Sequence, residues 1–191
     1  MFVKPPGPRH TATDEADGLA IRIPSRRNIF LFAFLTIWLC GWAFGEVSAL
    51  ITFFKFAQKE PGAASFLIIW LCGWTLGGAF AIYTWLWQLK GCEIITVSPT
   101  ALGIKRDLFG RGRTKYYDVS EIRELRVTPL TYSPFDFRSG MAFWGIGGGA
   151  LAFDYGFKTY RFGAGVDEVE ARIILQMMIA RLPRLSNAAV T

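Results

Sequence analysis

The sequence predicts a membrane α-helical hairpin of two transmembrane helices joined to a small α+β domain, and three features predict it. Two long apolar stretches occupy the first half, short alternating runs fill most of the second, and one amphipathic stretch follows near the C-terminus. Across 191 residues, 52% hydrophobic and 16% aromatic side chains, seven Trp and a mean hydropathy of +0.30 are high for a soluble globule. The excess lies between Asn28 and Leu89 while the flanks have ordinary soluble composition, which points to an anchor in lipid rather than an apolar core. The expected division is an N-terminal tail over 1–27, the hairpin over 28–89, the soluble domain over 90–183 and a C-terminal tail over 184–191.

The first segment contains Pro5-Pro6-Gly7-Pro8 and mixed charges, so it reads as a mostly irregular tail, with a brief extended piece at Ile21-Arg22-Ile23-Pro24. From Asn28 to Phe54 the only charged residue is Glu46. A helix of that span, at about 1.5 Å per residue, reaches about 40 Å and exceeds a hydrocarbon core of about 30 Å. It crosses with tilt, or with its ends among the headgroups. A cleaved signal peptide is the competing reading, and the long polar leader, the length of the apolar run and the second apolar segment argue against it.

Lys55 to Ala64 carries Lys55, Gln58, Lys59, Glu60, Pro61 and Gly62 and reads as a short polar loop. Phe66 to Leu89 has no charged residue and closes on Tyr83, Trp85 and Trp87 before Lys90, the aromatic belt and basic stop of a helix leaving lipid. Arg22, Arg26 and Arg27 precede the first helix and Lys90, Lys105 and Arg106 follow the second, against Lys55 and Lys59 in the loop. The positive-inside bias therefore puts both termini, and the soluble half, on the cytoplasmic side, in a bacterial inner membrane or its equivalent.

After Gly91 the pattern changes to strand-like runs: Glu93–Val97, Ala101–Lys105, Arg113–Val119, Glu121–Val127, Ala150–Asp154 and Lys158–Phe162. Pro129 to Gly149 is a longer connection rich in glycine and aromatics. The last element is a helix capped by Asp167, with Glu170 three residues on, an apolar stripe of Val169, Ile173, Ile174 and Met177, and Pro183 as its stop.

The clearest internal signal is a repeat. Ile37-Trp38-Leu39-Cys40-Gly41-Trp42-Ala43-Phe44-Gly45 matches Ile69-Trp70-Leu71-Cys72-Gly73-Trp74-Thr75-Leu76-Gly77. Each copy holds a GxxxG, Gly41 to Gly45 and Gly73 to Gly77, and glycines four apart let another helix backbone approach closely. The grooves either pack the two helices together or receive a helix of a second protein or second copy. Glu46 follows the first repeat at a depth where a carboxylate is costly. It is either paired or functional within the bilayer, or brought by tilt to the outer interface within reach of Lys55 or Lys59.

Lys105, Arg106, Arg111, Arg113 and Lys115 lie on or around one hairpin near the membrane exit, and form a candidate site for anionic headgroups at about 1 kcal/mol per basic residue. The alternative is an ordinary solvated strand face. The net charge of +6 suits an anionic surface, but no nucleic-acid module accompanies it, so no nucleic-acid partner is expected. Gly145-Ile146-Gly147-Gly148-Gly149-Ala150 fits GxGxxA, but a strand rather than a helix follows it, so it reads as an inter-strand loop. Cys40, Cys72 and Cys92 lack disulfide or zinc spacing and read as small packing residues. His10 is the sole histidine and sits in the tail, so no Ser-His-Asp, Cys-His or HExxH set can be assembled; no enzyme, metal or cofactor is expected.

In the soluble half, Glu93-Ile94-Ile95-Thr96-Val97-Ser98, Ala101-Leu102-Gly103-Ile104-Lys105-Arg106 and Tyr117-Asp118-Val119-Ser120-Glu121-Ile122-Arg123-Glu124-Leu125-Arg126-Val127 resemble the bacterial pleckstrin-homology-like domains attached to membrane helices. Leu151 to Gly156, Thr159 to Gly163 and Asp167 to Ala171 resemble their final strands and helix, so the resemblance covers about Gly91–Leu182. It implies an antiparallel β-barrel or sandwich capped by a C-terminal helix, acting as a scaffold or binding module, and it carries over no ligand residues. Phe135, Phe137, Phe143 and Trp144 make the Pro129–Gly149 connection more aromatic than such a domain needs, and mark it as a candidate contact with the membrane or a partner. The expected function is a membrane-anchored adaptor engaging another membrane protein or a second copy, with an anionic-lipid sensor as the alternative.

Overall fold

The computed structural model describes residues 7–15, 18–56, 59, 61–129 and 148–182. Two compact units emerge: one comprises Met1–Arg26 with Leu89–Thr191, the other Arg27–Gln88. The fold is α+β, with antiparallel strands in the first unit and two long helices in the second.

The helical unit contains α1 (Ile29–Phe56) and most of α2 (Pro61–Lys90). Asn28 caps α1: its Oδ1 accepts from the Leu31 amide at 3.2 Å, while its own amide donates to Gln88 Oε1 near the end of α2 at 3.1 Å. Proline suits the first turn of α2, where its missing N–H leaves no intrahelical bond unmade. Covered residues step by four and three along α1, at Leu31, Leu35, Trp38, Trp42, Gly45 and Ala49, and along α2, at Leu67, Leu71, Trp74, Gly78, Ala81, Trp85 and Gln88, with Phe32, Leu39, Glu46, Phe53, Thr84 and Trp87 also covered beside this line. Steps alternating between four and three are the seam of two helices packed knobs into holes. Away from the seam the helices are apolar and bare, with Ile29 at 82%, Ile37 at 76%, Phe44 at 78% and Leu76 at 72% exposure. Both are long and apolar enough to cross a membrane, over Ile29–Lys55 and Ala64–Lys90. Their exposure separates them from the core helices of a soluble protein, which would hide such faces.

The β unit corrects the expected tail. The expected extended piece at Ile21–Pro24 belongs to a longer strand, and residues 11–15, expected to be irregular, form another: β1 (Thr11–Glu15) and β2 (Gly18–Pro24) join β3 (Gly91–Val97), β4 (Ala101–Leu108) and β5 (Thr114–Asp118) in one antiparallel sheet ordered β1-β2-β3-β4-β5. β2 lies beside β3 with Leu19 opposite Val97, Ile21 opposite Ile95 and Pro24 opposite Cys92, and Ser25 extends the pairing by donating to the Gly91 carbonyl at 2.9 Å. The helical pair is thus an insertion between two adjacent strands, and the β unit is assembled from both sides of it.

After a short 3-10 turn at Val119–Glu121, β6 (Ile122–Val127), β7 (Leu151–Tyr155) and β8 (Lys158–Phe162) form a second antiparallel sheet, and α3 (Glu168–Arg181) follows. Leu19, Ile21, Ile23, Ile95, Val97 and Leu102 of the larger sheet share one core with Ile122, Leu151, Phe153 and Phe162 of the smaller. Asp167 caps α3 through the Glu170 amide at 2.9 Å, as its sequence indicates. Of the expected stripe, Ile174 is buried and Met177 packs against the core, but Val169 is 69% and Ile173 47% exposed; the buried face runs instead through Ala171, Ile174, Met178 and Leu182, toward β6 and β2. Pro183, the expected stop, lies outside the described residues.

Candidate functional site

In the helical unit the repeats meet through tryptophan and glycine. Trp42 lies over Gly78, where an added Cβ would run into the indole, and Trp74 lies 3.8 Å from the Cβ position of Gly45. Trp74 and Gly78 are one helical turn apart, so the missing side chain at Gly78 opens a path to the backbone, and Trp42 Nε1 donates to the Trp74 carbonyl at 3.1 Å. Trp38 and Trp70 flank Trp74 at ring-centroid distances of 6.1 and 5.5 Å. Of the four glycines singled out in the GxxxG pairs, only Gly45 meets the other helix. Gly41, Gly73 and Gly77 face open space. Intrachain packing therefore uses Gly45 and Gly78, and Gly78 escapes the repeat because its counterpart in the first copy is Glu46.

Glu46 is held within the pair: its Oε1 accepts from Thr75 Oγ1 of the opposite repeat at 2.7 Å. Neither Lys55 nor Lys59 is among its described partners. Glu46 Oε2 is enclosed without a hydrogen-bond partner among the described residues. Trp85 Nε1 donates to Thr36 Oγ1 at 2.8 Å, so polar links recur along the helix pair. Cys40 and Cys72 are exposed on the helices rather than packed in a core, and Cys92 is half-buried.

In the β unit the five basic residues do not act as one patch. Lys105 is half-buried and its Nζ pairs with the buried Asp107 Oδ1 at 2.6 Å, and this pairing holds the Asp107 carboxyl below its ordinary range. Arg106 stands opposite Glu93 and Lys115 opposite Ile104 in the strand register, both exposed. Arg111 and Arg113 are exposed around the turn between β4 and β5 and have no described ion-pair partner. Phe135, Phe137, Phe143 and Trp144 lie outside the described residues. Gly148 and Gly149, at the end of the GxGxxA stretch, lead into β7 and not into a helix, consistent with an inter-strand loop.

Two further buried acids tie segments together: Glu93, which was not singled out by sequence, and Glu170, which the sequence marks only as part of the helix start. Glu93 is 5% exposed, and its Oε2 accepts from the Gly163 amide at 2.6 Å, which ties β3 to the turn after β8. Burial pushes its carboxyl above the ordinary range, opposed by the Gly163 hydrogen bond and by Arg106. Strand alternation carried the signal, since Glu93 shares its parity with Ile95 and Val97. Glu170 gathers the N-terminal segment on one oxygen: its Oε1 accepts from the amides of Arg9 at 2.6 Å and His10 at 2.8 Å and meets His10 Nδ1 at 2.6 Å. His10, read from sequence as a tail residue, is thereby seated against the first turn of α3.

Among the described residues no group of three or more His, Cys, Asp or Glu side chains is placed to hold a metal ion. Compared with protein-family models, with curated proteins and with solved structures, the chain matches none.

Proposed function

We propose that this chain is a non-enzymatic adaptor anchored in a bacterial inner membrane by two crossings, with its β unit on the cytoplasmic side. The observation that carries the adaptor reading is the open glycine surface. Gly41, Gly73 and Gly77 sit on long apolar helices, yet the intrachain seam leaves them uncovered. In lipid, where water does not drive helices together, such a surface suits close packing by a further helix from another membrane protein or a second copy.

Strand register supports the two-pass topology independently of charge bias. The chain leaves β2 at Pro24 and re-enters at Gly91 beside it, so both connections to the helices start from the same end of one sheet. An even number of crossings satisfies that constraint. The pleckstrin-homology-like reading is supported by antiparallel strands in two sheets over a common core with a C-terminal helix, though β1 and β2 add to what the resemblance implies.

The test is purification of the full chain from native membranes in mild detergent, alone and with Gly73→Leu and Gly77→Leu. A recurrent partner or self-association that the leucines abolish supports the adaptor. A monodisperse single copy unaffected by them overturns it. The second reading, an anionic-lipid sensor, is favoured by the exposure of Arg111 and Arg113.

A further inference from the structure

The turn between β4 and β5 carries a residue its own geometry disfavours. Leu108 and Arg111 exchange backbone hydrogen bonds, at 2.9 Å from the Leu108 amide and 3.0 Å from the Arg111 amide, and so close a two-residue loop of Phe109 and Gly110. Both loop residues have positive φ, 54° at Phe109 and 80° at Gly110. Asparagine, aspartate or glycine suits the first position of such a loop. A bulky side chain there costs about 1–2 kcal/mol relative to the ordinary helical or extended regions. Gly110 answers the left-handed requirement, and Gly112 answers a close approach, since a Cβ there would strike the Arg106 carbonyl. Phe109 answers neither. It gains little burial in return, being 57% exposed.

Chemistry and position then agree. Phe109 is followed by Arg111 and Arg113, both exposed. The loop projects past the pairing of Leu108 with Gly91, and Gly91 follows Lys90, the last residue of α2, directly. With neighbouring strands about 4.8 Å apart, the covalent path puts the loop within about a Debye length of the point where α2 ends.

We propose that the Phe109–Arg113 loop is an anchor for the anionic bilayer leaflet from which α2 emerges. Phe109 enters the boundary between headgroups and acyl chains, and Arg111 and Arg113 bind lipid phosphates. An aromatic tip between basic residues fits that layer, which accepts apolar rings at its inner side and cations at its outer side. Lys105 takes no part, being paired with Asp107. This proposal rests on the spanning reading of α1 and α2, and narrows the five basic residues to two while adding the phenylalanine.

The test uses the full chain in nanodiscs of phosphatidylcholine alone and of an equal mixture with phosphatidylglycerol. A nitrobenzoxadiazole label is placed at Phe109→Cys, or at Phe157→Cys in another exposed turn, after Cys40→Ala, Cys72→Ala and Cys92→Ala. The expected result is blue-shifted emission and quenching by lipid-borne doxyl at position 109 in the anionic discs only, with no change at 157. Arg111→Gln with Arg113→Gln lowers the bound-to-free ratio of the loop about thirtyfold, about fivefold for each charge. A label that stays water-like in both discs, or blue in both and indifferent to the arginines, overturns the proposal. Phe109→Asn supplies a second measurement: a melting temperature unchanged or raised in neutral detergent supports a role outside the fold, and a clear drop overturns it. Doxyl quenching of the intrinsic tryptophans checks the spanning reading separately. If they are quenched and the loop label stays in water, only the anchor fails.

Discussion

Trp42 of α1 occupies the space that any side chain at position 78 of α2 would need, and its indole reaches the Trp74 carbonyl through that gap. The consequence is an asymmetry among glycines of similar sequence context. Gly78→Ala should destabilise the helix pair by about 1–3 kcal/mol through overpacking. Gly73→Ala and Gly77→Ala, which meet open space, should stay within about 0.5 kcal/mol in the isolated chain. Thermal unfolding in detergent, followed by tryptophan fluorescence, separates the two classes.

Thr75 and Glu46 supply a polar link between the helices. Removing the donor with Thr75→Val should cost about 0.6 kcal/mol, the usual size of such a bond in a membrane protein. Glu46→Gln keeps an acceptor oxygen and should cost less than Glu46→Leu, which leaves the Thr75 hydroxyl without this partner. Steric trapping or denaturant titration in micelles measures the order.

Deleting residues 1–24 should abolish the β unit rather than trim a tail. Leu19, Ile21 and Ile23 are buried in its core, at about 1.5–3 kcal/mol each, and β3 would become an open edge. Losses of that size rival a typical total stability of about 5–15 kcal/mol. A fragment starting at Gly91 should give the collapsed amide spectrum of an unfolded chain, and adding a peptide of residues 7–26 should restore dispersion.

Glu93 gives the β unit a pH dependence of definite sign. Its carboxyl is raised above the ordinary 4.5, chiefly by burial, so the folded state binds its proton more tightly than the unfolded state does. That contribution is fully present below the unfolded value and is lost as pH rises through the folded one. Glu93→Gln retains an acceptor for the Gly163 amide and cannot ionise. It should flatten the decline in stability above pH 4.5 and narrow or reverse any deficit against the parent near neutrality. Melting temperatures of both proteins across that range decide the point. Asp154 works in the opposite sense: Arg126 and Thr159 lower its carboxyl, so its contribution holds above 3.8 and fades as pH falls through the lowered value.

Hydropathy made the helical pair legible because water-soluble folds seldom need apolar runs long enough to cross lipid, and alternation revealed the strands from β3 onward. The same alternation was present in Leu19, Ile21 and Ile23 but was short and followed a polar, proline-rich beginning. β1 offered no signal at all, since Thr11–Glu15 is wholly exposed and takes its place from pairing with β2 and from the ion pair of Asp14 with Arg181 of α3. Gly78 was hidden for a different reason. The repeat drew attention to glycines at matching positions, whereas contact depends on the rotational phase of each helix, and that phase puts Gly45 and Gly78 inward. Phe109 was invisible because its strain is a backbone angle.

The placement of α1 and α2 between β2 and β3 also orders biosynthesis. β2 leaves the ribosome before the hairpin and β3 after it, so the larger sheet can close only once both helices have been made. On the proposed two-pass topology, a chain that threaded one helix and stalled would strand β2 and β3 on opposite sides of the bilayer, with Leu19, Ile21 and Ile23 left in water. On that topology such a product leaves the larger sheet open, whereas a chain whose two helices both cross can close it.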